Sequence, residues 1–509
     1  MSDKSAIKVL FLSAELAPLA KVGGLGDVAG SLPIALAKLG VDIRICLPFY
    51  GLIDRKKYQV KKIIANLYAP MGDKNKSVNV WQTFLPKTKI PVYLIECSFF
   101  NSKEIYFDDK KHKNAIPTTP FINGAKKNDN LKRFSFFTRA SLEVAKKLVF
   151  QPDIVHANDW HTALVADFIK TINKQDNFFD KTKTLYTIHN LANQGIAKPN
   201  IVSYAKINPD LPIIKVDAKD GDVNFMVQGI LGSDLINTVS PTYAKEILNH
   251  YQGAGLDNIL KKRKANLYGI LNGIDINFFN SATDNLIKQK YSLKNLNKKI
   301  ANKLALQKQL GLPINKNIAL VGLVSRLVWQ KGIDLFNKGI TPLPLPIKGA
   351  KYKDFSKLNC QFVFLGTGQK KYEKILKDLT KKYPEKFNVQ LAFDEKLAHL
   401  IYAGSDIFLM PSYFEPCGLG QMIAMRYGTI PVVHATGGLA DTVNNRTGFV
   451  FKKYSSEAFY QELNKALTIF YEKPKLWKQL QINGMKQNFS WNKSAKKYFE
   501  LYRRLTRQK

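Results

Sequence analysis

Glu415 stands in the stretch Pro411-Ser412-Tyr413-Phe414-Glu415-Pro416-Cys417-Gly418-Leu419-Gly420, directly after the apolar run Asp406–Met410. The run reads as a buried parallel strand, and the Gly-Leu-Gly-Gln that follows reads as the opening of a helix. This puts one carboxylate at the carboxyl end of a strand, beside a helix N-terminus, where open α/β sheets bind ligands. The helix N-terminus suits the anionic part of a ligand. The carboxylate beside it suits sugar hydroxyls better than phosphate.

Four further constellations carry chemistry. Lys21-Val22-Gly23-Gly24-Leu25-Gly26-Asp27 follows the first strand-like run. Its glycines let a ligand approach the backbone, its successive amides would form an anion nest, and Lys21 adds a point charge. Gly24-x-Gly26-x-x-Ala29 also fits a dinucleotide fingerprint, but Leu47 is followed by Pro48 where that fingerprint wants a ribose-binding acid. A plain turn before a helix is the other reading. In Val324–Gly332, Arg326 and Lys331 lie five apart at a strand exit and could clamp a diphosphate leaving group as charge develops on it; a solvated pair on a lysine-rich surface is the alternative. His156-Ala157-Asn158-Asp159-Trp160-His161 and Thr187-Ile188-His189-Asn190 both follow strand-like runs, so Asp159 and His189 are expected to converge over one sheet edge. The histidine spacing is not that of a metalloprotease helix, and no metal is expected. His156, inside its strand, also reads as a buried structural residue. Asn272-Gly273 is either a turn or a polar contact facing a cleft.

The elements that must position these residues form two series. The first comprises Ile7–Ser13, Val41–Leu47, Pro91–Ile95, Asp153–His156, Thr184–His189, Asp234–Ser240 and Leu267–Leu271. The second comprises Ile318–Ser325, Gln361–Gly366, Asp406–Met410, Thr429–Val433 and Thr447–Phe451. Helical patterns lie between them, such as Asp27–Leu39 before Gly40. Apolar strands alternating with helices imply parallel sheets covered on both faces, and two series imply two doubly wound domains. The expected domains are 1–271, 272–484 and a terminal segment 485–509, whose pattern Trp491, Ala495, Tyr498, Phe499, Tyr502, Leu505 is an amphipathic helix that packs on another element. Residues 108–130 and 337–357 read as loops.

Composition removes several classes. At 509 residues and 45% hydrophobic content the chain can build large cores. No apolar run approaches the roughly 18–20 residues of a membrane span, and Val9–Leu12 is too short for a signal-peptide core. Cys46, Cys97, Cys360 and Cys417 are far apart, which argues for a reducing cytoplasm and against a disulfide or zinc framework. The net charge of +37 invites a nucleic-acid reading. Yet only 11 of the 77 cations are arginine, the better phosphate fork, and the lysines are scattered. No nucleic-acid partner and no membrane partner are expected.

With these motifs in order along nearly the whole chain, the sequence resembles the bacterial glycogen synthase and plant starch synthase family. The likeness runs through Lys21–Leu25, His156–His161, His189-Asn190 with Gln194-Gly195, Val239–Tyr243, Asn272–Asp275, Ser325–Gly332, Glu415–Gly418 and Thr436–Asp441. The resemblance implies a retaining GT-B glycosyltransferase: two Rossmann-like domains, an interdomain cleft, and a C-terminal helix that crosses back to the first domain. It implies transfer of glucose from ADP-glucose to the non-reducing end of an α-1,4-glucan such as glycogen, without a cofactor. By the same resemblance Lys21, Arg326 and Lys331 face the diphosphate, with Gly23 and Gly24 in the loop beside it. His189 and Asn272 contact glucosyl hydroxyls, and Asp159 lies near glucose and acceptor. Glu415 orients the glucosyl ring beside the amides of Cys417 and Gly418. Many retaining GT-B enzymes carry a second glutamate eight positions after the first; here that position is Ile423, so Glu415 alone is carried over. The rival readings are another GT-B transferase and a basic, non-catalytic glucan- or nucleic-acid-binding protein.

Overall fold

The computed structural model describes residues 6–107, 125–336 and 352–507. They form two compact units: one takes the described residues up to Gly273 together with those from Trp491 onward, the other is Ile274–Ser490.

The first unit contains β1 (Lys8–Leu12), β2 (Asp42–Pro48), β3 (Lys61–Met71), β4 (Lys74–Phe84), β5 (Pro91–Glu96), β6 (Ile154–Asn158), β7 (Lys183–Ile188), β8 (Ile196–Ala197), β9 (Val223–Asn224), β10 (Leu235–Thr238) and β11 (Leu267–Gly269). Nine of them form one sheet in the order β11-β10-β7-β6-β1-β2-β5-β4-β3, and β8 pairs with β9 apart from it. In β1 every residue but Lys8 is buried, the mark of a strand covered on both faces. β1 pairs parallel with β2 on one side (Val9 opposite Ile43) and with β6 on the other (Val9 opposite Ile154). The strand order therefore reverses at β1 and β6. The carboxyl ends of those two strands flank the crevice where doubly wound sheets bind ligands.

The second unit contains β12 (Ala319–Val324), β13 (Cys360–Leu365), β14 (Phe387–Gln390), β15 (Ile407–Met410), β16 (Ile430–His434) and β17 (Phe449–Phe451). They form one sheet in the order β14-β13-β12-β15-β16-β17, parallel throughout. Its reversal falls between β12 and β15.

Four sequence expectations are corrected. The first sheet is mixed: β3 and β4 form an antiparallel hairpin on its edge, and β4 runs antiparallel to β5. Neither β3, β4 nor the short β14 was expected as a strand. Residues 125–130 are the start of the helix Ala125–Lys147, not loop; residues 108–124 lie outside the described residues. Of the expected loop 337–357, residues 337–351 also lie outside them, and Phe355–Lys357 is one turn of 3-10 helix. The helix after β1 starts at Gly24, three residues before the expected Asp27.

The terminal helix Trp491–Arg507 belongs to the first unit's core. Ala495, Tyr498 and Tyr502 are fully buried on its apolar face. A polar chain ties it to the sheet. The Tyr502 hydroxyl lies 2.8 Å from His156 Nδ1, and His156 Nε2 lies 2.6 Å from Thr187 Oγ1. Thr187 donates to Asn237 Oδ1, and Asn237 Nδ2 donates to the Tyr498 hydroxyl. Because Thr187 spends its proton on Asn237, it accepts from His156 Nε2, and His156 Nδ1 accepts from Tyr502. Burial pushes the His156 pKa down to about 3, so the ring is neutral, as this pattern needs. His156 is thus the structural histidine of the two sequence readings.

Candidate active site

In the first unit, three chain segments meet at the reversal of the sheet. β6 ends at Asn158, and Asp159 then turns the chain with φ 54° and ψ −179°, a conformation rare for a side-chain-bearing residue. The turn aims its carboxylate at the exit of β7. Asp159 Oδ1 accepts from the His189 amide at 2.7 Å and the Asn190 amide at 3.3 Å. Asp159 and His189 therefore do converge on one sheet edge. Burial is the main force on Asp159, pushing its pKa up to about 7; the two amides work against that, and the charge of Glu15 adds to it. The His189 ring is neutral, its pKa driven to about 3 by burial. Its Nε2 lies 2.9 Å from Asn158 Oδ1, while Asn158 Nδ2 donates to the Leu12 carbonyl. So Nε2 carries the hydrogen and Nδ1 is the acceptor nitrogen. Asn272 follows β11 and is buried; its Oδ1 has no hydrogen-bond partner among the described residues.

The glycine loop after β1 differs from the expected anion nest. The Val22 and Gly23 amides donate to Glu15 Oε2 at 2.7 and 2.8 Å, so an internal carboxylate already fills the cradle. Lys21 is exposed and pairs with Asp27 at 2.6 Å. A Cβ on Gly24 would meet no atom within 4 Å, so internal packing does not demand a glycine there.

In the second unit the reversal of the sheet places Arg326 after β12 and Glu415 after β15. Arg326 is exposed, and its side chain makes no ion pair or hydrogen bond among the described residues. Lys331 Nζ lies 2.5 Å from Glu415 Oε2, and the Ser412 hydroxyl donates to the same oxygen at 3.0 Å. Both charged side chains are largely buried, at 16% and 9% exposure. The two loops are tied by backbone as well: Tyr413 N donates to the Gln330 carbonyl, and Gln330 Nε2 to the Phe414 carbonyl. Thr436-Gly437-Gly438 presses on the Glu415 loop from the other side. A Cβ on Gly437 (φ 44°) would lie 1.9 Å from the Glu415 carbonyl oxygen, and one on Gly438 2.1 Å from that of Cys417. Only glycines permit that approach. Cys417 is buried, Gly418 has φ 70°, and Ile423 is a buried apolar residue of the helix Gly420–Arg426. At the exit of β14, Phe393 is 90% exposed.

Sequence reasoning missed Glu15, Tyr106, Ser412 and Phe393. Glu15 and Ser412 sit within a few residues of the motifs that were read. An isolated acid or hydroxyl in a loop carries no spacing signal of its own.

Residues 8–262 match the family model described as the starch synthase catalytic domain, and residues 303–486 that of glycosyl transferases group 1. A glycogen synthase of Thermotoga maritima is 41% identical over 98% of this chain and 99% of its own length. The chain belongs to the glycogen and starch synthase family. A second family member, the glycogen synthase of Geotalea daltonii, is 43% identical over 98% of each chain. Among solved structures, the catalytic domain of starch synthase IV from Arabidopsis thaliana, bound to ADP and acarbose, matches with a TM-score of 0.85. It is 33% identical and covers 99% of this chain and 100% of that one. The two Rossmann-like α/β domains are those of the GT-B glycosyltransferases. Among the described residues no helix is long and apolar enough to cross a membrane.

Proposed function

We propose that this chain transfers glucose from ADP-glucose to the non-reducing 4-hydroxyl of an α-1,4-glucan, glycogen or a starch-type polymer, with retention of anomeric configuration. The observation that carries the reading is its identity of about two residues in five, over the full length, to proteins named glycogen synthase. The ADP bound to the starch synthase IV domain supports the choice of nucleotide.

The residues suit the chemistry. As the bond from the anomeric carbon to the β-phosphate breaks, the sugar gains oxocarbenium character and charge grows on ADP. Arg326 and Lys331 are the cations that meet it. Lys331 would leave Glu415 for the phosphate, which frees the carboxylate to accept hydrogen bonds from glucosyl hydroxyls. The acceptor oxygen bonds to the anomeric carbon on the face that ADP leaves, and its proton passes to the departing phosphate. His189 offers its backbone carbonyl to the developing cation and its ring to a hydroxyl. Asp159 is a positioning residue, since its carboxylate fixes the His189 amide. The unpartnered Oδ1 of Asn272 takes a further hydroxyl, and the amides of Cys417 and Gly418 lie beside Glu415. On the diphosphate side Lys21 supplies charge, and Gly23 and Gly24 leave room for close approach. Exposed Phe393, at the carboxyl edge of the second sheet, offers a face for the base. The four free cysteines fit a cytoplasmic setting.

Incubation with glycogen and labelled ADP-glucose, in parallel with labelled UDP-glucose, and with and without EDTA, tests the reading. Label entering polymer from ADP-glucose, unaffected by EDTA, is expected. No transfer from either donor by folded protein would overturn it.

A further inference from the structure

Glu15 is 4% exposed, and among the described residues no cation is a hydrogen-bond or ion-pair partner of its side chain. Three neutral donors hold it instead. Val22 and Gly23 give their amides to Oε2, and the Tyr106 hydroxyl donates to Oε1 at 2.7 Å. Two backbone amides and a phenol thus meet both carboxylate oxygens inside the fold. The backbone under the carboxylate is fixed too: the Ser13 hydroxyl donates to the Glu15 carbonyl, and Ser13 Oγ accepts from the Glu15 amide. The loop wraps the carboxylate closely, since a Cβ on Gly26 would come within 3.1 Å of Oε2. With the amides of Val22 and Gly23 turned inward, the charged group this loop keeps on the outside is the Lys21 ammonium, which rests 2.6 Å from Asp27 Oδ1. Tyr106 in turn stacks on His161, ring centroids 5.1 Å apart, two residues beyond Asp159 in the chain.

We infer that Glu15 is a positioning residue for the sugar-nucleotide half of the reaction. It closes the Lys21–Gly24 loop around itself, so that Lys21 is held ready for the diphosphate, and it pins Tyr106 against the turn that carries Asp159. The inference rests on the glucosyl-transfer reading given above. It does not ask Glu15 to touch substrate or move a proton.

The test compares wild type with Glu15→Ala, Glu15→Gln and Glu15→Asp in the full chain. Gln keeps one oxygen for the two amides and can turn its NH2 to the Tyr106 oxygen, which accepts. Asp is one methylene too short to reach both. Glu15→Ala is expected to lower kcat/KM for ADP-glucose about 100-fold, the scale of a misplaced binding group, with the KM for glycogen unchanged. Gln should restore most of the loss and Asp should not. Hydrogen exchange of the Val22 and Gly23 amides, read on the same proteins, should speed up in Ala and stay slow in Gln. Equal donor kinetics in wild type and Glu15→Ala would overturn the inference, as would a glycogen KM that rises in step with the donor KM. If the wild type transfers no glucose, the function reading fails instead. The exchange data then decide the loop contact alone: unchanged exchange in Glu15→Ala overturns it, and faster exchange upholds it.

Discussion

Removing Lys331 should expose how much the second half-site relies on one ion pair. At 2.5 Å and an effective dielectric of about 20, the gross attraction is about 7 kcal/mol. Taking both groups out of water cancels most of that. Removing one partner is a different matter. Lys331→Ala leaves Glu415, 9% exposed, with the Ser412 hydroxyl at 3.0 Å and no cation at bonding distance. A stranded buried charge of this kind lowers stability by about 3 kcal/mol. Glu415→Gln added to Lys331→Ala removes the stranded charge and should recover about half of that loss, so the two substitutions are not additive. Activity follows another rule. Loss of a cation aimed at developing charge lowers kcat by about 100- to 1,000-fold, and the double variant should stay as slow as the single one or slower. Urea unfolding of wild type, Lys331→Ala, Glu415→Gln and the double variant, at matched m-values, together with single-turnover transfer from ADP-glucose, measures both. If Lys331→Ala is as stable as wild type, or the double variant is no more stable than Lys331→Ala, the pair does not hold Glu415 and the reasoning fails.

Three further outcomes are expected. Asp159 has its pKa raised to about 7, so the stability it contributes is complete below about pH 4 and is lost as pH rises through 7; the stability difference between wild type and Asp159→Asn should therefore fall between about pH 4 and 7, and a constant difference in urea midpoints over that range would contradict the raised pKa. Gly437→Ala puts a Cβ 1.9 Å from the Glu415 carbonyl at φ 44°, and should lower stability by about 3 kcal/mol and abolish turnover together; wild-type melting would show that the two loops are not so tightly stacked. Tyr502→Phe leaves His156 Nδ1 buried without its donor and should lower stability by about 1–3 kcal/mol, read by denaturant titration, with no loss expected if the terminal helix were loosely docked.

The parts of the fold that were legible in the sequence are those where burial is uniform. β1, β6, β12 and β13 are short apolar runs because both faces of each strand are covered. β3 was illegible for the opposite reason: of the eight residues before Ala69 six are exposed and two are half-buried, so the apolar Ile63, Ile64, Leu67 and Tyr68 follow no burial period along Lys61–Met71. β14 buries only Phe387. For the site, strand ends and glycines were readable, because a doubly wound sheet fixes where a ligand must sit. The partner of those glycines was not readable. That the loop amides would turn inward to Glu15 follows from the three-dimensional path of the chain between Ser13 and Gly24, and nothing in the residue types chooses an internal anion over an external one. The Lys331–Glu415 contact joins positions 84 apart, and each was read as facing a ligand, not the other.

The most direct measurement of the central claim is a linkage and end-group assay in one tube. Glycogen is extended with labelled ADP-glucose for a short time, purified, and digested with β-amylase, which removes maltose from non-reducing α-1,4 ends. The account predicts that the label is released almost wholly as maltose, since only a retained α-1,4 bond at a non-reducing end gives that product. Label that enters the polymer but resists β-amylase would contradict the linkage or the anomeric outcome, and label that never enters it would contradict the activity.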